Sequence, residues 1–226
     1  MKTRLLFAAI LLATATTAMT IPTAGAAMFD ARDYGACPDG TTLNTGALQA
    51  AIDQCSQSGG GVVRLEDGVY LTGTLYLKNG VILEVAQDAT LLGSDRLEDY
   101  PERYAEYVSY TDNYTNKALI YAENAEDIGL RGEGVIDGQG AAFEGDYLKR
   151  PYLVRFVKCR GVVTENLTLR NSPMWVYHVL ACDDVRITGL TIRSKVNHNN
   201  DGLDIDSCRN VRISDCDIWS GDDAIV

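Results

Sequence analysis

Three stretches in the second half of the chain repeat one pattern: KCRGVVTENLTLRNSP (residues 158–173), ACDDVRITGLTIRSKV (residues 181–196) and SCRNVRISDCDIWSGDD (residues 207–223). Aligned on their first cysteines, all three have an apolar or β-branched residue at offsets 3, 5, 8 and 10. These positions hold Val162, Thr164, Leu167 and Leu169, then Val185, Ile187, Leu190 and Ile192, then Val211, Ile213, Cys216 and Ile218. Such alternation is typical of short strands that bury one face.

The length of the repeat indicates the architecture. The aligned cysteines lie 23 and 26 residues apart, and fainter copies begin at Glu126 and Asn79. Repeats of this length indicate a solenoid, and neither the Leu/Asn signature nor the helical half of a leucine-rich repeat is present. We therefore predict an all-β fold, a right-handed parallel β-helix in which each repeat forms one coil stacked on the last.

The stretch TGALQAAIDQCSQSGGG, which begins at Thr45, is the one clear helical pattern. Its apolar residues have helical spacing: Leu48, Ala51, Ile52 and Cys55. The glycines at 59–61 end the pattern, so we predict a helix that caps the N-terminal end of the solenoid. Cys37 precedes this helix and Cys55 lies within it, and the sequence leaves open whether they form a disulfide bond across the helix.

The repeat gives the other cysteines a structural interpretation. Cys159, Cys182 and Cys208 share one position in successive coils, so we expect a ladder of buried thiols, with Cys216 in the core. No cysteine or histidine pattern has the spacing of a metal site, and the chain contains only two histidines. We predict neither a metal nor a cofactor.

The first 26 residues have the features of a secretory signal peptide. Lys2 and Arg4 precede the apolar run LLFAAILLATA, and Ala24-Gly25-Ala26 is a small-x-small cleavage site. The apolar run is too short for a membrane span, and an ordinary apolar N-terminal helix is the alternative. We expect cleavage after Ala26, one β-helix domain over residues 27–226, and a secreted or periplasmic protein.

The charge of the chain excludes some partners. Its formal charge is −11 at pH 7, or −13 without Lys2 and Arg4. A negative field of this size disfavours nucleic acid. We expect a monomer that binds no nucleic acid and, after signal cleavage, no membrane.

Three carboxylates are expected to meet on neighbouring coils. They come from NNDGLDI (residues 199–205) and SGDDAIV (residues 220–226), in which Asp201 and Asp222 lie 21 residues apart and Asp223 follows directly. Because this spacing is about one coil, the strands that follow should begin side by side. Asp-Gly and Gly-Asp are also ordinary turn signals, which is the structural alternative. Grouped carboxylates with divergent pKa values suit glycoside hydrolysis, and a Ca²⁺ site for a lyase is the rival use.

These two motifs, NNDGLDIDSCRN and SGDDAIV at this separation, resemble those of the polygalacturonase family, glycoside hydrolase family 28. Three further stretches are similar to that family: FDARDYGACPDGTTLNTGALQAAIDQC (residues 29–55), GEGVIDGQG (residues 132–140) and RNSPMWVYH (residues 170–178). The resemblance covers essentially all of the expected mature chain. It implies hydrolysis of α-1,4-galacturonosyl linkages in pectin with inversion of configuration, with a pectic polysaccharide as substrate and no cofactor.

The resemblance also implies roles for individual residues. Asp222 would be the general acid, and Asp201 and Asp223 would hold and deprotonate the attacking water. Asn199 would help orient the substrate. Where Asp223 stands, rhamnogalacturonan-cleaving relatives tend to carry Glu, so this position favours galacturonan. Many members have a half-cystine where this chain has Ala224.

Two later motifs of the family, Gly-His-Gly and Arg-x-Lys, do not follow Asp223 within the 226 residues. The resemblance therefore implies a chain that is truncated at its C-terminus and incomplete as a β-helix, and we expect the 226-residue chain alone to be inactive. Arg193 and Lys195 either reach the substrate or, as we favour, are solvated loop charges. A related rhamnogalacturonan or xylogalacturonan hydrolase and a non-catalytic polysaccharide-binding β-helix are the alternatives.

Two further features have open interpretations. The register predicts that His178 lies beside Asp204 on the outer face, as a structural pair rather than a catalytic one. The stretch DYPERYAEYVSYTDNY (residues 99–114) holds five tyrosines and interrupts the repeat. It is either a loop beside the cleft that offers stacking faces to sugar or a packed surface insertion.

Overall fold

A computed structural model of the chain describes residues 26–110, 114–146 and 149–226. The predicted signal peptide lies outside the described residues except for Ala26. Within the described ranges, no helix is both long and apolar enough to cross a membrane.

The described strands form three parallel sheets. The first contains β1 (Met28–Asp30), β3 (Gly61–Leu65), β6 (Val81–Val85), β9 (Glu126–Arg131), β12 (Arg160–Glu165), β15 (Asp183–Thr188) and β18 (Arg209–Ser214). The second contains β2 (Asp39–Leu43), β4 (Gly68–Thr72), β7 (Ala89–Gly93), β10 (Val135–Asp137), β13 (Thr168–Arg170), β16 (Thr191–Ser194) and β19 (Asp217–Ser220). The third contains β5 (Leu75–Tyr76), β8 (Ala118–Glu123), β11 (Tyr152–Val157), β14 (Tyr177–Leu180) and β17 (Leu203–Asp206).

The chain moves from sheet to sheet and returns one coil higher, which is the predicted parallel β-helix. In the first sheet Val162 pairs with Val185, which pairs with Val211. In the second sheet Ile192 lies between Leu169 and Ile218. The apolar offsets that identified the repeat are therefore in register on successive coils, facing the core.

The cysteine ladder is present as predicted. The Cys159 N–H donates to Cys182 Sγ at 3.4 Å, and the Cys182 N–H donates to Cys208 Sγ at 3.3 Å. Cys159 and Cys182 are buried, whereas Cys208 and Cys216 are half-buried against the core, so full burial is confirmed for two of the four thiols. Cys37 and Cys55 are free thiols in the structure, so the disulfide bond that the sequence left open is not formed there.

The predicted capping helix is α1 (Thr45–Gln57), which packs its apolar side against the first strands of the solenoid. The buried residues of the helix are those that the helical spacing identified: Leu48, Ala51, Ile52 and Cys55. Three short 3-10 helices complete the secondary structure of the described residues: Ala31–Tyr34, Leu97–Asp99 and Gly140–Ala142.

Candidate active site

The two carboxylate motifs meet on adjacent coils, where the chain enters the third sheet at β17 and on the coil after it. Asp201 stands two residues before β17, and Asp222 and Asp223 belong to the next coil. The coils are joined directly, because the Gly202 N–H donates to the Asp223 carbonyl at 2.8 Å. One carboxylate oxygen from each aspartate lies within 4.8 Å of the other two. The convergence that the spacing predicted is present in the structure.

The register between these coils differs by one residue from the predicted one. Leu203 pairs with Ile225, 22 residues later, whereas the two motifs align at a spacing of 21. In this register Asp201 lies opposite Asp223, and Asp222 precedes Asp223 on the same coil. Both aspartates of the second motif therefore lie beside Asp201.

Asp201 lies in different surroundings from the other two aspartates. It is 8% exposed, and its Oδ1 has no hydrogen-bond partner among the described residues, whereas Asp222 and Asp223 are exposed. Burial, and after it the negative charges of Asp222 and Asp223, raises the pKa of Asp201 to about 6. The carboxyl of Asp201 therefore changes its protonation state in the range where an acid or base is useful for catalysis.

Asn200 fixes the backbone that leads into Asp201. Its Oδ1 accepts hydrogen bonds from the N–H groups of Val196 and Asn197, both at 3.0 Å. Its Nδ2 donates to the carbonyls of Ser172 and Met174, at 2.8 and 3.0 Å. Asn200 is fully buried, so it ties the loop before the site to the preceding coil. Sequence reasoning selected the neighbouring Asn199 and missed this anchor.

Asn199, the predicted substrate-binding residue, has a side chain that is held by a buried arginine. The Arg150 Nη2 donates to Asn199 Oδ1 at 2.9 Å, and its Nη1 donates to the carbonyls of His198 and Pro173 at 2.5 and 2.8 Å. Arg150 is 2% exposed, and its burial lowers the pKa of the guanidinium. Arg150 lies outside the repeat, so no sequence pattern pointed to it.

Arg193 and Lys195 do not contact the three aspartates. Arg193 belongs to β16 and not to the predicted loop, and it forms an ion pair with Asp217. The Lys195 Nζ lies 5.1 Å from the centre of the Trp219 ring. Both cations therefore have other partners, in agreement with our preference against a role at the substrate.

His178 and Asp204 are paired in register, as predicted, but the pair is buried rather than solvated. Burial lowers the pKa of His178 to about 3; the Arg155 charge acts in the same direction, and the Asp206 charge opposes it. His178 is therefore neutral over the ordinary pH range. This agrees with the structural interpretation of the pair.

The tyrosine-rich stretch is packed in one part and exposed in another. Tyr100 is buried, whereas Tyr104 and Tyr110 are exposed. The Tyr114 ring packs edge-on against Trp175, with 5.2 Å between the ring centres. Residues 111–113 of this stretch lie outside the described residues. Part of the insertion is therefore packed, and part lies at the surface.

The three aspartates also offer the kind of ligand that Ca²⁺ takes. Calcium sites use six to eight oxygens, so three carboxylate oxygens within 4.8 Å would need further ligands from water or substrate. The lyase alternative therefore keeps a structural basis, and the absence of a metal stays a prediction.

The chain is similar to known glycoside hydrolases in sequence. Residues 61–226 match the model of a family described as "Glycosyl hydrolases family 28". A probable polygalacturonase of Vitis vinifera is 37% identical over 208 residues, which are 85% of this chain and 42% of that protein. An exo-poly-alpha-D-galacturonosidase of Dickeya chrysanthemi is 41% identical over 132 residues, which are 55% of this chain and 21% of that protein. The chain spans less than half the length of both relatives.

The fold has the same relationship to solved structures. The family 28 exopolygalacturonase of Yersinia enterocolitica superposes with a TM-score of 0.80 at 27% identity, over 89% of this chain and 44% of that one. An exopolygalacturonase of Thermotoga maritima superposes with a TM-score of 0.79, also at 27% identity, over 91% of this chain and 55% of that one.

Proposed function

Because the chain belongs to glycosyl hydrolases family 28, we propose that its protein hydrolyses the α-1,4-galacturonosyl linkages of pectin or polygalacturonate with inversion of configuration. The observation that supports this most directly is the convergence of Asp201, Asp222 and Asp223 within 4.8 Å on adjacent coils. Grouped carboxylates in unlike surroundings provide an acid and a base for glycoside hydrolysis.

In the proposed mechanism Asp222 donates a proton to the leaving oxygen. Asp201 and Asp223 hold a water molecule and remove its proton as it attacks the opposite face of the sugar. Asn199, held by Arg150, orients the substrate. No metal or cofactor takes part. An anionic sugar must approach three carboxylates, so the protein needs contacts to it that do not depend on the field of these aspartates.

The pKa of Asp201 makes the assignment testable by pH. As a base, Asp201 must be ionised, so kcat/KM should rise as the pH passes through about 6. If Asp201 were the acid, kcat/KM would fall over the same range. The pH profile of the protein therefore separates the proposed assignment from the one in which Asp201 and Asp222 exchange roles.

The distances also call for a direct test of stereochemistry. Carboxyl groups of inverting enzymes are typically about 6.5–9.5 Å apart, and those of retaining enzymes about 5–5.5 Å apart. The closest oxygens here lie within 4.8 Å, although centres of the carboxyl groups are further apart than their closest oxygens. Proton NMR of the first product should show the β-anomer; initial release of the α-anomer would contradict inversion.

Removal of the acid is the central experiment on the full-length protein. We expect Asp222→Asn to lower kcat on polygalacturonate by about a hundredfold or more, because an amide cannot protonate the leaving group. Asp215→Asn is the matched control, because Asp215 lies in the turn between β18 and β19 and has a left-handed φ of 56°, which Asn also adopts readily. Hydrolysis that survives Asp222→Asn would contradict the assignment of the acid.

The same assay distinguishes the alternatives. A lyase would release an unsaturated product that absorbs in the ultraviolet, and a chelator would stop it. Rhamnogalacturonan or xylogalacturonan, offered in parallel, tests the related hydrolases. A wild-type protein that binds polygalacturonate without cleaving it would be a polysaccharide-binding β-helix.

We also propose that the protein is secreted or periplasmic, that it acts as a monomer, and that the pectic polysaccharide is its partner. The signal-like features of residues 1–26 support the location, the formal charge of −11 supports the monomer, and the family supports the partner. Cell fractionation and N-terminal sequencing of the mature protein test the location, light scattering tests the monomer, and calorimetric titration with polygalacturonate tests the partner.

A further inference from the structure

We propose that Trp175 is a sugar-stacking residue, on which the ring face of a galacturonosyl unit next to the three aspartates lies. This inference rests on the proposed function and adds a binding contact to it. Hydrogen bonds and strand pairing between the two coils locate Trp175. The Val176 N–H donates to the Asp201 carbonyl at 2.8 Å, and Tyr177 pairs with Leu203. Counting back along both coils places Trp175 beside Asp201, one coil toward the N-terminus.

Tyr152, Trp175 and Asp201 lie in line on three successive coils, along the axis of the solenoid. The Leu153 N–H donates to the Trp175 carbonyl at 3.2 Å, so Tyr152 lies beside Trp175 on the coil below. The outward positions at this edge therefore run from Tyr152 through Trp175 to Asp201. One coil spacing, about 4.8 Å, is close to the length of one sugar unit in a polysaccharide. A chain that lies along this edge would place neighbouring units over the aspartates and over the indole.

Neighbouring rings hold the indole of Trp175 in place. The Trp175 ring centre lies 5.2 Å from that of Tyr114, 5.6 Å from that of Tyr152 and 5.2 Å from that of His178. Tyr152 and His178 are fully buried, whereas Trp175 is only partly buried. The surrounding rings therefore hold the indole in place and leave part of it at the surface. An aromatic side chain fixed in this way loses little conformational entropy when a ligand binds.

An indole can bind a sugar ring without carrying a charge. A pyranose ring presents C–H groups on one face, and this apolar face packs on an aromatic ring without any charge on the protein. Beside three carboxylates that repel an anionic sugar, an uncharged contact is the type of interaction the site needs. Arg193 and Lys195, the nearby cations in the sequence, already have Asp217 and Trp219 as partners. Trp175 can therefore supply a substrate contact that these two cations do not supply.

The chain supplies its own matched control, because its only other tryptophan is Trp219. Trp219 is 59% exposed on β19, and its described ring contact is the one to Lys195. In the full-length protein with Asp222→Asn, which stops turnover, Trp219→Phe leaves Trp175 as the only tryptophan of the described chain. Trp175→Phe leaves Trp219. Any tryptophan elsewhere in the full-length protein is replaced in both.

The experiment titrates each protein with hexagalacturonate and follows tryptophan fluorescence together with calorimetric affinity. We expect a saturable fluorescence change in the Trp175-only protein and none in the Trp219-only protein. We expect Trp175→Ala to weaken the Kd about tenfold and Trp175→Phe about threefold, as for loss or reduction of one aromatic contact.

A change confined to Trp219, or equal changes in both proteins, would overturn the inference. So would a Trp175→Phe protein with an unchanged melting temperature and an unchanged Kd. If the starting protein does not bind hexagalacturonate at all, the proposed function fails instead, so the two failures are distinguishable. The melting temperature of each variant separates lost stacking from lost packing around Tyr114 and Tyr152.

Discussion

Two neighbouring coils carry similar side chains in different surroundings. Val185 and Ile187 in β15 are at most 1% exposed, whereas Val211 and Ile213 in β18, which pair with them in register, are only half-buried. In the first sheet β15 has a strand on both sides, and β18 has one only on the side of β15. In a solenoid, therefore, the burial of a residue is supplied mainly by the neighbouring coils.

The same contrast separates the carboxylates of the site. Asp201 lies between two coils and is buried, whereas Asp222 and Asp223 lie on the outer of these coils and are exposed. Chemically identical groups therefore differ in burial because of stacking. Three pairs of substitutions test this comparison, in order of decreasing effect.

The largest effect is expected in the core. In the 226-residue chain, Ile187→Ala should lower the free energy of unfolding by about 4 kcal/mol, because it opens a cavity in a fully packed ladder, and Ile213→Ala by about 1 kcal/mol. Both residues occupy the same offset of the repeat, and they pair directly. Urea denaturation followed by circular dichroism measures the difference. Equal losses for the two variants would show that stacking does not control burial in the way described.

The second effect concerns Asp201, and its sign depends on pH. A folded-state pKa of about 6, above the ordinary aspartate value of 3.8, means that the folded protein binds the proton more tightly than the unfolded chain does. Stability is therefore lost as the pH rises from about 4 to 6. Asp201→Asn removes this penalty and should stabilise the protein at pH 7 by about 3 kcal/mol or less, with little gain at pH 3.5.

Thermal unfolding of Asp201→Asn and the wild type at the two pH values measures this change. Asp215→Asn is the exposed control, since it alters the same functional group in the last repeat. A gain for Asp201→Asn that was the same at pH 3.5 and pH 7 would contradict the burial of a titrating carboxyl.

Parts of this molecule followed from local sequence alone. The apolar offsets predicted the coils because the inward face of a strand depends on alternation within a few residues. The 21-residue spacing predicted the meeting of Asp201 with Asp222 and Asp223 because it is close to one coil. The helix α1 followed from its spacing and from the glycines that end it.

Other parts depend on contacts between distant segments. Arg150 reaches Asn199 across 49 residues from a segment outside the repeat, so no local pattern could identify it. The choice of Asn199 over Asn200 failed to identify the anchor for a similar reason, because the buried amide is defined by carbonyls of the preceding coil. The pKa of Asp201 depends on the exact depth of its burial, which a sequence does not contain.

The smallest of the three effects concerns Arg150, which joins the loop before Asp201 to the rest of the fold. Arg150→Lys should lower the free energy of unfolding by about 2 kcal/mol, because one ammonium cannot span the three acceptors that the planar guanidinium reaches. Arg193→Lys is the matched control: Arg193 is paired with the exposed Asp217, and exposed pairs contribute about 1 kcal/mol or less.

The two arginine variants extend the comparison from the core to the edge of the site. If Arg150 holds the loop in place, Arg150→Lys should also increase amide hydrogen exchange in residues 196–200 without changing that of β15. Arg193→Lys should leave both segments unchanged, because its bonds end on Asp217 and on strand carbonyls. Equal destabilisation by both variants, with exchange in residues 196–200 unaltered, would mean that burial of the guanidinium does not position the loop that carries Asn199 and leads into Asp201.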